Sequence, residues 1–180
     1  MNQAYVCVDI TSRLTWFGRD LRSGSEECKR SWDRCKVVFS AEHRRRLEES
    51  FDAFTFSYIE TALWSAWDNA DDSGGKPLDE NYNISDIESE TLARMSYDCA
   101  SFQADNEAML SNVYGSIGPY GKKPCSEETA GHDFWLTRNG HGSGFWDGDY
   151  PEPHATVLTQ TSKDAGEVSL YVGDDGKIYS

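Results

Sequence analysis

This 180-residue sequence has little positive charge and no long apolar run. Seventeen Lys+Arg stand against 31 Asp+Glu, a formal net charge of −14. That balance argues against a protein that coats DNA or RNA directly, because such proteins must neutralise phosphates. No stretch approaches the ~18 consecutive apolar residues of a membrane-spanning helix, so no membrane partner is expected. The opening stretch Met1 to Trp16 has no basic segment followed by an apolar one, so no secretory signal is expected. The 5 cysteines are odd in number and irregular in spacing, with Cys28 and Cys35 seven apart and no CxxC. A zinc-finger framework needs close ligand pairs and is disfavoured. Without an export signal, reduced thiols are the default. The GxSxG nucleophile elbow, the GxxxxGK[ST] phosphate loop and the HExxH zinc helix are all missing.

What charge there is lies unevenly. Residues 1–50 hold 10 Lys+Arg and 8 Asp+Glu, a net of +2, and residues 51–180 hold 7 and 23, a net of −16. We therefore expect an N-terminal extension or small subdomain over 1–45, with short strands at 5–8 and 36–39, and an acidic domain over 46–180. The boundary falls where the basic run Arg44-Arg45-Arg46 meets the first aromatic-rich helix. That run offers contact with an acidic body, of its own chain or a neighbour's, and hence self-association. A solvated helix start is the plainer reading.

An apolar fraction of 38% supports a true core. Phe51, Phe54, Tyr58 and Ala62 recur at helical spacing, predicting a helix over 41–67 with Ser40 as N-cap and Trp64 and Trp67 near its end. Ser85 and Glu88 fit a capping box, and Ser89 is another cap. Leu92, Met95, Cys99, Phe102, Met109 and Val113 then form one stripe, predicting a second helix of about six turns. Aromatic and β-branched ends around a glycine-rich middle predict strand, turn, strand over 132–149. A short helix over 154–165 with Gly166 as its stop, and a hairpin from 168 to 179 turning at Gly173-Asp174-Asp175-Gly176, complete the chain. The expected class is α+β: two main amphipathic helices packed on a small antiparallel sheet, with an N-terminal extension.

The stretch from His132 to Asp149 concentrates the polar chemistry. His132, Arg138, Asn139, His141, Asp147 and Asp149 surround closely spaced glycines. A general base at His141 oriented by Asp147 is one reading. A metal held by the histidines and aspartates, with His154 as a third nitrogen, is another, but no ligand spacing supports it and none is assigned. The structural reading makes the glycines a tight turn, the aromatics core, and Arg138 the partner of Asp133 or Asp147. The loop from Asp68 to Asp72 has calcium-loop composition only, because the third and sixth positions are Ala70 and Ser73. No cofactor is expected. Asp68, Asp71, Asp72, Asp79, Glu80, Asp86 and Glu88 are the candidates for an acidic interaction surface.

Over residues 51–180 the segments ETALWS, PLD, AGHDFWLTRNGHGSGFWDG and LYVGDDGKIY resemble a group of small acidic proteins encoded by bacteriophages and other bacterial mobile elements. The group carries no established activity, so the resemblance transfers no catalytic residues. It implies a setting, the bacterial cytoplasm during infection, and an accessory role. Two functions of different class follow. One is a protein that binds and inhibits a host nucleic-acid-handling defence factor, of anti-CRISPR or anti-restriction type, through an acidic surface. Its partner would be a host protein or protein–nucleic-acid complex. The other is a small enzyme or ligand-binding domain using the His132–Asp149 segment.

Overall fold

In a computed structural model, residues 44–68 and 75–180 are described. The strands expected at 5–8 and 36–39, the Ser40 cap, and Asp71 and Asp72 lie outside them. Residues 44–50 are helical, with Arg44 paired to Glu48 and Arg45 to Glu49 one turn on. The helix does not run through to 67 as one piece. Asp52 turns extended, accepts a hydrogen bond from the Thr55 N–H at 2.6 Å and starts a new helix, α1, at Ala53–Ser65. A short carboxylate side chain offered to an orphan N–H ends one helix and begins the next.

Trp67 belongs to a strand. β1 (Trp67–Asp68) pairs antiparallel with β2 (Lys76–Pro77), and Leu78 N–H then bonds the Ala66 carbonyl at 2.9 Å. Two 3-10 turns follow, Leu78–Glu80 and Ile84–Asp86. The capping signal lies close to its expected place, but with different partners. Asn83 and Asp86 form the capping box of the second turn, and Glu88 caps α2 (Ser89–Asp105) by accepting from the Glu90 and Thr91 N–H groups. Of the expected stripe, Leu92, Met95, Cys99 and Phe102 are buried in α2. The helix then breaks at Asn106, whose side-chain amide donates to the Phe102 carbonyl, and resumes as α3 (Glu107–Val113).

The predicted strand-turn-strand over 132–149 is not found. α4 (Glu127–Arg138) occupies its first part. Ser126 and Thr129 cap it reciprocally, and Glu127 and Glu128 sit in its first turn, where the helix dipole favours them. Residues 133 to 138 are all buried, so every face of the helix's C-terminal half meets protein and no polar stripe marks it. That continuous apolar and aromatic run reads equally as a strand, because a 3.6 period shows only when one face is wet. α5 (His154–Asp164) comes where the short helix is expected, and the terminal hairpin pairs Tyr171 with Tyr179 and Val172 with Ile178 as β3 (Tyr171–Val172) and β4 (Ile178–Tyr179).

The domain is thus mixed α and β, with two separate two-stranded sheets among the described residues. α1 and α4 make its most extensive helix pair, so two amphipathic helices on a sheet do not describe it. Gly131 permits the closest approach, since a Cβ there would lie 2.0 Å from the Phe54 carbonyl oxygen. Around that contact Phe134 stacks on Phe102 at 4.0 Å, and Tyr58 meets Trp135 edge-on at 5.1 Å between ring centres. Cys99 is fully buried, as a small core residue.

Candidate functional site

Arg138 closes α4 and is only 4% exposed. Its guanidinium donates to Asp98 at 2.8 Å, to the Tyr58 hydroxyl at 2.7 Å, and to the Ala165 and Gly166 carbonyls at 2.9 and 2.7 Å. Neither Asp133 nor Asp147, the partners expected from sequence, takes it. Arg138 therefore ties α4 to α1, α2 and the end of α5. Burial raises the Tyr58 hydroxyl well above the ordinary tyrosine range, an effect the adjacent Arg138 charge partly offsets.

Asn139 follows as the C-terminal cap. Its amide donates to the Trp135 carbonyl at 2.9 Å and its oxygen accepts the Val168 N–H at 2.8 Å. Gly140, at φ +67°, takes the left-handed turn that ends the helix. The chain doubles back, with His141 N–H on the Leu136 carbonyl and Phe145 N–H on the Thr137 hydroxyl. The Asp147 carboxylate closes the glycine turn, accepting from the Gly144 and Asp149 N–H groups. The Asp149 carbonyl receives the Gly118 N–H and the Cys125 thiol, pinning this turn to the loop after α3. Burial, then the nearby Asp147 charge, raise the Asp149 carboxyl above its ordinary value.

His132 stands apart in the middle of α4. Its Nδ1 lies 2.9 Å from Oδ1 of Asp133, and its ring stacks on the half-exposed Trp64 at 6.0 Å. Asp133 is buried beside Tyr150, whose hydroxyl is raised by burial and then by the Asp133 charge. The six candidate residues thus fall into three groups. No side chain of one hydrogen-bonds a side chain of another, and His141 and Asp147 form no base-and-orienter pair. Among the described residues, no group of three or more His, Cys, Asp or Glu is placed to hold a metal ion. No helix among them is long and apolar enough to cross a membrane.

The acidic candidates divide as well. Asp86 accepts from the Asn83 backbone and side chain, Glu88 caps α2, and Glu80 pairs with Lys76 at 3.1 Å. The hydrogen bond from Ser89, then those from the backbone, hold the Glu88 carboxyl below its ordinary value. Asp79 is exposed and Asp68 is half-buried in β1. Two residues central to the buried network, Asp98 and Tyr58, were not among the expected site residues. They stand 40 and 80 positions from Arg138, so no local spacing links them.

Comparison with protein-family models, with curated proteins and with solved structures gives no match.

Proposed function

We propose that this chain is an accessory binding protein of mobile-element type that inhibits a host nucleic-acid-handling defence factor of the restriction or CRISPR kind. The setting comes from the sequence resemblance; the mode of action comes from charge. The observation that carries the reading is the net −16 of residues 51–180, together with the burial of Arg138, which removes one of its few cations from the surface. A folded acidic surface of this kind is complementary to grooves built to receive a phosphate backbone, which carries one charge per ~1.7 Å of duplex axis. The polar residues of the His132–Asp149 segment act mainly as caps, turn closures and a buried ion pair, which speaks for binding over catalysis.

The test is affinity capture on the immobilised full chain from a bacterial host lysate over a rising salt series. Retention of a nucleic-acid-handling complex that weakens with salt and is displaced by added duplex DNA supports the reading. Absence of such a complex, or retention indifferent to salt and DNA, overturns it.

One observation favours the alternative of a small enzyme or ligand-binding domain. In the His132–Asp133 pair, a buried carboxylate orients a partly exposed imidazole, an arrangement suited to base chemistry. A His132→Ala variant that folds and retains its partner yet loses the biological effect would favour it.

A further inference from the structure

A groove of about 340 Å³ runs between α2 and α5, backed on one side by the Arg138–Asp98 pair. Its volume is at the lower end of the ~300–1,000 Å³ typical of small-ligand sites, so it suits one side chain better than a cofactor. Two helices end at it. Asp105 is the last residue of α2 and Asp164 the last of α5, and both line the groove. A helix C-terminus carries partial negative charge and disfavours a carboxylate. Here α5 ends with Asp164, whereas α2 passes at Asn106 directly into the first turn of α3, so on that wall the negative potential comes from the Asp105 carboxylate itself.

The hydrogen-bonding inventory is equally one-sided. The neutral amide on the wall, Asn106, is 4% exposed and already engaged at both ends, donating to the Phe102 carbonyl and accepting from the Thr161 hydroxyl. The free capacity left is mostly that of acceptors. The Asp164 carboxylate takes one hydrogen bond, from Gln160, and the Asp105 carboxylate has no hydrogen bond or ion pair among the described residues. Phe102 lies at the base and Tyr97, 71% exposed, stands at the rim, offering aromatic surface to an alkyl stem or a cation. The molecule already uses this chemistry once. Arg138 is held by Asp98, which also lines the groove, and by carbonyls just beyond α5.

We propose that the α2–α5 groove receives an arginine or lysine side chain of the partner protein. This rests on the reading of the chain as an acidic binding protein and gives that surface a specific anchor point. A phosphate-binding partner presents such side chains in rows, so the charges are complementary.

The experiment titrates the full chain with an acetylated, amidated Gly-Arg-Gly-Arg-Gly peptide, followed by amide NMR shifts. Shifts centred on Ser101, Asn106 and Thr161 are expected. Asp105→Asn with Asp164→Asn should weaken binding about three- to tenfold. Glu127→Gln with Asp174→Asn, an equal change of charge at exposed sites outside the groove, should not. Shifts scattered over the surface, or equal losses from both pairs, would mean diffuse attraction and overturn the groove. The two proposals fail separately. A captured complex whose affinity ignores the groove pair overturns the groove alone. Peptide binding in the groove with no nucleic-acid-handling complex captured supports the groove and overturns the wider reading.

Discussion

Helices α2 and α4 are alike in kind and opposite in surroundings. α2 turns one stripe inward, through Leu92, Met95, Cys99 and Phe102, and leaves residues such as Tyr97 and Ala100 in water. α4 is buried continuously from Asp133 to Arg138 and carries a charged residue at each end of that run. The two meet through Phe102 against Phe134 and through Asp98 with Arg138. The difference teaches where tolerance lies. A helix with a wet face can take changes on it, whereas every position of an enclosed helix is also a contact of its neighbours.

The largest expected effect comes from Arg138→Met. It strips the carbonyls of Ala165 and Gly166, the Tyr58 hydroxyl and Asp98 of their shared donor. Asp98 is a third exposed and keeps access to water, so the loss is about 3 kcal/mol, carried mostly by the buried Tyr58 hydroxyl and the lost charged hydrogen bonds, and is measurable by urea unfolding. Arg138→Lys should recover only part of it, because an ammonium cannot span the same fork of acceptors. A variant within about 0.5 kcal/mol of the parent would show that the network is not holding α4 to its neighbours.

Next comes Gly131→Ala. The added Cβ would fall 2.0 Å from a backbone oxygen of α1, where no flexible side chain can yield, so the helices must part. Overpacking of this sort costs about 1–3 kcal/mol or more, even though alanine is the better helix former. The matching change on α2 is Ala100→Gly at an exposed site, which should cost about 1 kcal/mol through propensity alone. Equal losses at the two positions would erase the distinction between the helices.

Alkaline unfolding sharpens the comparison further. Tyr58 and Tyr150 pack against α4, and burial holds both hydroxyls above the ordinary value near ~10. The folded state keeps protons that the unfolded state releases, so their contribution is complete below pH ~10 and declines as pH rises beyond it. Two such groups give a slope of about −2.8 kcal/mol per pH unit in that range. On α2 the buried Cys99 thiol, also raised by desolvation, begins the decline from about pH 8.5. Denaturant melts at stepped pH read both, and a flat profile from pH 8 to about 11 would contradict the burial of these groups.

The same contrast governs what could be read in advance. α2 was legible because its stripe alternates with polar residues, and the caps near residues 83–88 announce themselves by local hydrogen-bond chemistry. The hairpin turn at Gly173–Gly176 and the stop at Gly166 were legible for similar reasons, since a left-handed residue needs glycine wherever it falls. α4 was not legible as a helix. Asp133 to Arg138 offers no wet face, and the capping pair Ser126–Thr129 that starts the helix lies ahead of the run that draws attention. The grouping of polar residues in sequence also misled. His132, Arg138 and Asp147 are neighbours along the chain, but a helix of α4's length and the turn behind it point them at three different environments.

By itself the sequence determined the charge division, the buried stripe of α2, the terminal hairpin turn and the Cys99 core position, because each depends on composition or on residues within a few places of one another. The tertiary structure alone decided that α4 is a helix, that Arg138 belongs to Asp98 and Tyr58, and that Asp105 and Asp164 face one groove. These depend on groups 40, 80 and 59 positions apart (105 to 164 for the last), brought together only when apolar surfaces pack and buried polar atoms must find partners.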